Sequence, residues 1–334
     1  MTPLVIRTAE DAIAAVPYLL GFHPSRSLVV IGFDGPGHTC AVRLDLPAAE
    51  DAERASRTLA AHRVRRALLL GYGDPPEVAA SASALTTALA AAGVVVAEAI
   101  RVADGRWWSL TCQDACCPPE GVRYDSSTSV LAAQATYAGR VVLPGRADLA
   151  RSVQPLQGAE RRAMREATDR AERRFLAWAR DRTSGTAFQA RTIEEGVVFV
   201  PALLDRAHGG ARPTDDEVAW LGFLLTEIRV RDEAWIRIDG DDPAADIEFW
   251  RDIVRRVEED YAAAPASLLA FAAYSGGDGG LAGIAVERAL AADPAYSMAV
   301  ILRELITSGI PPANARLSMT PQQLAMAYHE TDTG

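Results

Sequence analysis

Apolar positions in the first hundred residues follow two alternating rhythms. Short β-branched runs at residues 4–6, 27–33, 39–46, 67–72 and 94–102 have the length and composition of strands. Between them, Ala-rich stretches at 9–20, 48–62 and 75–92 repeat their apolar residues with helical spacing. Thr8 stands where it can cap the first of these helices, and Gly21 followed by Pro24 stops it. The turn residues Asp34-Gly35-Pro36-Gly37 join the strands at 27–33 and 39–46 into a hairpin. A hairpin excludes a purely parallel sheet, so the pattern predicts a mixed sheet in an α/β sandwich.

From Asp104 the texture changes. Asp104-Gly105 is a turn and 106–111 a last strand, after which 112–125 forms an irregular loop rich in Cys, Pro and Gly. Ser126-Ser127-Thr128 opens a helix over 130–138, and 140–144 is a short extended piece. Beyond it everything is helical: 158–182, 193–207, 215–228 with Thr214 as its cap, 246–262, 265–275, 281–291 and 295–308. The predicted organisation is an α/β domain over 1–155, a charged connecting helix over 156–182 and an all-α domain over 183–330. Within the last, Ala282, Val286, Ala289 and Pro294 repeat the A-x3-φ-x2-A-x4-P step of a tetratricopeptide second helix. The glycines at 276–280 form the turn before it. One unit is matched where about three make a self-supporting stack, so the expectation is a tetratricopeptide-like hairpin.

Charge divides the chain in the same places. Residues 1–155 are close to neutral, whereas 183–334 hold 12 arginines against 24 acidic residues, a net charge of −12. The helix between them is cationic, with 8 arginines and 5 acids over 156–182. An acidic half of this kind is expected to meet a protein partner with a basic or apolar face and not nucleic acid. Every basic residue is arginine. This excludes a G-K-[S/T] phosphate loop, a pyridoxal-phosphate Schiff base and any catalytic lysine. Residues 1–7 lack the features of a secretory signal, and the longest apolar stretch, 84–100, is interrupted by Thr86, Thr87, Gly93 and Glu98. With four cysteines in 334 residues there is no disulfide scaffold. The expectation is a cytoplasmic protein with reduced thiols and no membrane partner; the pattern implies no oligomeric state.

Three constellations could carry chemistry. Cys112, Cys116 and Cys117 lie on the loop after the last strand, with Cys40 on an earlier strand of the same domain. Thiols so spaced read in three ways: structural residues packed as a plug at the sheet end, a redox pair, or ligands of a zinc ion, with Cys40 as a further donor. Adjacent cysteines and the lack of paired C-x2-C units weigh against the metal, so no cofactor is expected, with zinc as the one candidate. His23 sits where a helix turns into a strand, at the sheet edge where α/β proteins place ligands, and on residue type it could act with Cys112 as base and nucleophile. Arg123, the helix start at Ser126 and Ser127, and Arg140 could together hold an anion, or the serines could simply cap their helix.

Several segments resemble one family. Tyr18-Leu19-Leu20-Gly21-Phe22-His23-Pro24 followed by Ser27-Leu28-Val29-Val30 is similar to the opening signature of the actinobacterial domain of unknown function 4192. Gly105-Arg106-Trp107-Trp108-Ser109 leading into Cys112 and Cys116-Cys117-Pro118, the stretch 138–144, Gly277-Asp278-Gly279 and Asp293-Pro294 resemble it as well. The resemblance implies a bacterial cytoplasmic setting and no activity, cofactor or catalytic residue. The reading that follows is a non-catalytic binding or scaffolding protein acting through its helical half. The alternatives are an enzyme with its site between His23, the loop 112–117 and Ser126, and a thiol- or metal-dependent sensor.

Overall fold

Helix α1 (Ala9–Leu20) begins where a reciprocal cap holds it. The Asp11 amide donates to Thr8 Oγ1 at 3.1 Å, and the Thr8 amide donates to the Asp11 carboxylate at 3.2 Å. The computed structural model describes residues 6–35, 40–112, 114, 116–125, 142–180, 185–315 and 319–332. The expected strand at 4–6, part of the turn at 34–37, the helix at 130–138 and its serine start lie outside these residues.

The described chain forms two compact units, residues 1–149 with 307–311 and residues 150–306 with 312–334. In the first, β1 (Ser27–Phe33), β2 (Cys40–Asp45), β3 (Arg66–Tyr72), β4 (Val95–Ala103), β5 (Arg106–Ser109) and β6 (Val122–Arg123) make one sheet in the order β2-β1-β3-β4-β5-β6. Only β3 and β4 are parallel; α3 (Pro75–Ala91) crosses between them, and the other pairings are antiparallel. The mixed sheet predicted from the hairpin is therefore present. Its two-residue β4–β5 turn is Asp104-Gly105, with φ of 49° and 68°, the left-handed pair that matches strand twist in a tight hairpin. The short strand β6 carried no sequence signal, because two residues are too few to show alternation.

Both faces of the sheet are covered. Leu28, Val30, Leu69 and Ala99 pack with Ala55 and Leu59 of α2 (Ala52–Ala61) and with Val78, Leu85 and Leu89 of α3. The other face presents Val29, Ile31, Leu70, Ile100 and Val102, all buried. At a strand spacing of two residues per repeat, double coverage explains why these strands read as continuous apolar runs.

Helix α4 (Arg146–Arg151) leads into the second unit, which consists of α5 (Gly158–Arg180), α6 (Gly185–His208), α7 (Asp215–Leu224), α8 (Ile228–Trp235), α9 (Ala244–Arg256), α10 (Ala263–Ser275), α11 (Gly279–Ala292), α12 (Ser297–Thr307) and α13 (Pro321–Asp332). The expected helix over 215–228 divides in two. The Thr226 and Glu227 amides bond to Phe223 and Leu224, three residues back, and the Thr226 hydroxyl donates to the Phe223 carbonyl at 2.7 Å. That tightening ends α7 without any glycine or proline to announce it. Helices α10 and α11 form the expected hairpin across Gly276-Gly277-Asp278, with Ala270, Ala273, Ala282 and Ala289 fully buried.

The arginine-rich α5 belongs to this second unit. It buries Met164, Ala167 and Ala171 and directs its arginines at the unit's acids: Arg161 to Glu258 at 2.6 Å, Arg170 to Asp216 at 2.6 Å and Arg174 to Glu195 at 2.8 Å. The charge asymmetry of the sequence is thus partly spent inside the unit. Among the described residues, no helix is long and apolar enough to cross a membrane.

Candidate functional site

The parallel pair β3 and β4 ends at Tyr72 and Ala103, and the chain leaves both strands at the same edge of the sheet. Beside that edge lies a cleft of about 420 Å³. One wall is α1, through Ile13, Ala14, Pro17 and Tyr18; the loop His23-Pro24-Ser25-Arg26 forms the rim; Tyr72, Gly73, Val102, Ala103, Asp104 and Tyr124 form the floor and far side. The carboxyl ends of parallel strands are a common place for a ligand cavity in an α/β sheet.

Backbone bonds hold the rim. The His23 amide donates to the Leu143 carbonyl at 3.0 Å, and the Leu143 amide donates to Gly21 at 2.8 Å, so that Phe22 and Leu143 pair as a parallel bridge. Two segments that carry the family resemblance therefore meet at one place, through Phe22 and Leu143. Arg101 ties the floor: its guanidinium lies 4.5 Å from the Trp108 ring centre, and its Nε donates to the Gly73 carbonyl at 3.0 Å.

Tyr72 is the unusual group in the cleft. Its hydroxyl oxygen is buried and, among the described residues, no hydrogen-bond partner reaches it. Burial pushes its pKa up, and the neighbouring Tyr124 phenol adds to the shift. Burial raises Tyr124 too. Both phenols are therefore neutral at physiological pH and able to donate or accept a hydrogen bond. Neither was picked out from the sequence, although the end of a buried strand followed by Gly73 was a usable signal.

The cysteines occupy a different place. Strand β5 runs away from the cleft edge, and Cys112 follows three residues after its end. The four residues of β5 alone cover about 13 Å at 3.3 Å each, so the structure does not bring His23 and Cys112 together as base and nucleophile. The loop is well tied. The Cys112 amide donates to Ser109 Oγ at 3.0 Å, and that hydroxyl donates to Glu98 at 2.8 Å. The Cys117 amide donates to the Asp114 carbonyl at 2.8 Å, closing a turn. Cys112 and Cys116 stand with Sγ atoms 3.7 Å apart, and Cys116 and Cys117 with Sγ atoms 3.9 Å apart.

Other expectations are corrected. The thiols do not form a dry plug: Cys116 is exposed, and Cys112 and Cys117 are half-buried. Cys40 is no member of the cluster, because β2 lies four strand spacings from β5, about 19 Å at 4.8 Å per spacing. Arg123 pairs with Arg106 at the cleft end of β5, the end away from the thiols. Hydrogen bonding with Cys112, then desolvation and Cys116, push the Cys117 thiol up to about 12, and burial pushes Cys40 up to about 11. Ser126, Ser127 and Arg140 lie outside the described residues.

The thiol order follows from these facts. Brief exposure of reduced, metal-free protein to iodoacetamide at mildly alkaline pH should modify Cys116 first and Cys40 and Cys117 last, read by peptide mass spectrometry. Earliest labelling at Cys40 or Cys117 would contradict the geometry.

Residues 10–313 match a family model described as Domain of unknown function (DUF4192). No curated protein and no solved structure matches the chain. Since the match spans most of the sequence, including both segments that meet at the cleft rim, the protein belongs to the DUF4192 family.

Proposed function

We propose that this protein is a binding protein whose first unit takes a small molecule in the cleft between α1 and the ends of β3 and β4. The observation that carries the reading is the cleft at the carboxyl ends of β3 and β4, with Tyr72 in its lining and the Tyr72 hydroxyl buried without a partner among the described residues. Leaving such a hydroxyl unsatisfied costs on the order of 1–3 kcal/mol, and a ligand polar group that meets it once the side chain turns toward the cavity would recover that cost. The volume suits a molecule of modest size. The walls, apolar on Ile13, Pro17 and Val102 and phenolic on Tyr18, Tyr72 and Tyr124, favour one with an apolar body and a hydrogen-bonding group. The scaffold reading of the helical half rests on its net charge and on one tetratricopeptide-like hairpin, and the cleft reading is put forward ahead of it.

Ligand-observed NMR with a panel of small phenols and heteroaromatic acids tests the proposal. Binders of the wild type should lose affinity in Ser25→Trp, which places an indole at the exposed rim. In Tyr72→Phe they should weaken by about tenfold, the worth of one hydrogen bond. The same Tyr72→Phe protein should melt no lower than wild type, because the change removes an unsatisfied group. Binding that ignores both substitutions would sink the proposal.

A further inference from the structure

We propose that Cys112, Cys116 and Cys117 form the three-thiolate side of a tetrahedral site for a thiophilic divalent cation of the zinc class, with the fourth position left to water. This is a second site, independent of the cleft and at the other end of β5. The three Sγ atoms lie within 4.8 Å of one another. Around a tetrahedral zinc with Zn–S bonds of about 2.3 Å, neighbouring sulfurs stand about 3.8 Å apart. The two sulfur separations here, 3.7 and 3.9 Å, bracket that value. Asp114 Oδ2 is 3.9 Å from Cys112 Sγ but stands outside the group of three sulfurs, so a water completes the shell, as in sites with three protein ligands.

Adjacent cysteines are an awkward pair of ligands on an extended chain, where successive side chains point to opposite sides. Here they are not on an extended chain. The Cys117 amide bonds back to Asp114, and that turn swings the Cys116 and Cys117 sulfurs to the same side. The anchoring of the Cys112 amide on Ser109, with the Ser109 hydroxyl held by Glu98, sets the first sulfur before any ion arrives. A disulfide uses the cluster less well: it needs sulfurs near 2.0 Å and leaves one of the three thiols over. A cation uses all three, and the partial exposure of the loop leaves it a path of entry.

The probe is Co2+ added to the reduced, chelator-washed full-length chain. Expected are one equivalent bound, d–d bands of the tetrahedral type, a thiolate-to-cobalt charge-transfer band in the near ultraviolet, and displacement of both by Zn2+. Cys112→Ser, Cys116→Ser and Cys117→Ser should each abolish stoichiometric binding, and with it the charge-transfer and d–d bands. Cys40→Ser should change nothing. Far-ultraviolet circular dichroism shows that each variant is folded. Absence of the bands in wild type, or bands that survive Cys116→Ser, would overturn the site. So would protein that carries a Cys112–Cys116 disulfide by mass and takes up no cobalt once reduced.

Discussion

Gly121→Ala should lower the stability of the first unit by about 2–4 kcal/mol, combining a left-handed backbone cost with overpacking. Gly121 has φ of 76°, where a Cβ is strained in any surroundings. The surroundings make it worse: an added Cβ would lie 2.5–2.9 Å from three atoms of the Trp108 indole. That ring has little room to retreat, since its Nε1 donates to the Pro119 carbonyl at 3.0 Å and Arg101 stacks on it. Because Arg101 also holds the Gly73 carbonyl, the disturbance should reach the cleft floor. Scanning calorimetry should record a fall of roughly 5–15 °C for a unit of this size, and a change within about 1 °C would show that the loop yields freely. Gly121→Ala thus joins two parts of the first unit in one measurement, the thiol loop that the residue closes and the cleft whose Gly73 is held by Arg101.

Glu233→Ala should be as damaging to the second unit, by about 3–5 kcal/mol, because it strands a buried cation. Glu233 is 5% exposed and Arg229 7%, and they bond at 2.6 Å one turn apart on α8. Arg229 also lies under the Tyr328 ring of α13, at 4.8 Å, so the helix cannot easily turn its guanidinium out to water. The other partner of Glu233, Arg237, is more exposed and can recover solvent. Replacing both buried members, Arg229→Met with Glu233→Met, should recover most of the loss, since a packed apolar pair avoids the desolvation of two charges. Urea unfolding of the three proteins decides it. A double variant as unstable as Glu233→Ala would mean that packing around α8, and not the charge left unpaired, dominates.

Local rules carried the sequence reading where the information is local. The Thr8 and Thr214 caps, the Asp104-Gly105 turn, the strands at 27–33 and 67–72 and the α10–α11 hairpin depend on residues a few positions apart, and all are present. The break between α7 and α8 was not legible, because it rests on a hydroxyl competing for a carbonyl and on no helix-breaking residue. His23 was placed correctly at the sheet edge, and the cysteine spacing was visible from the start.

What the sequence determined by itself, then, is the alternation of elements, the mixed character of the sheet and the family, each readable from periodicity, turn chemistry or short motifs. Which side chains share a site was decided by tertiary structure alone. Tyr18, Tyr72, Tyr124 and Val142 are spread over more than a hundred residues and line one cleft because strand order and the α3 crossover bring their chain segments to the same edge. Cys40 and Cys112 sit in the same domain yet four strands apart for the same reason. Periodicity tells which face a residue presents; it carries no term for which distant segment meets that face, since that depends on the pairing free energy of the whole sheet. The cysteine cluster lies between these cases. Its residues are local, but only the turn at Asp114–Cys117 points three sulfurs at one another.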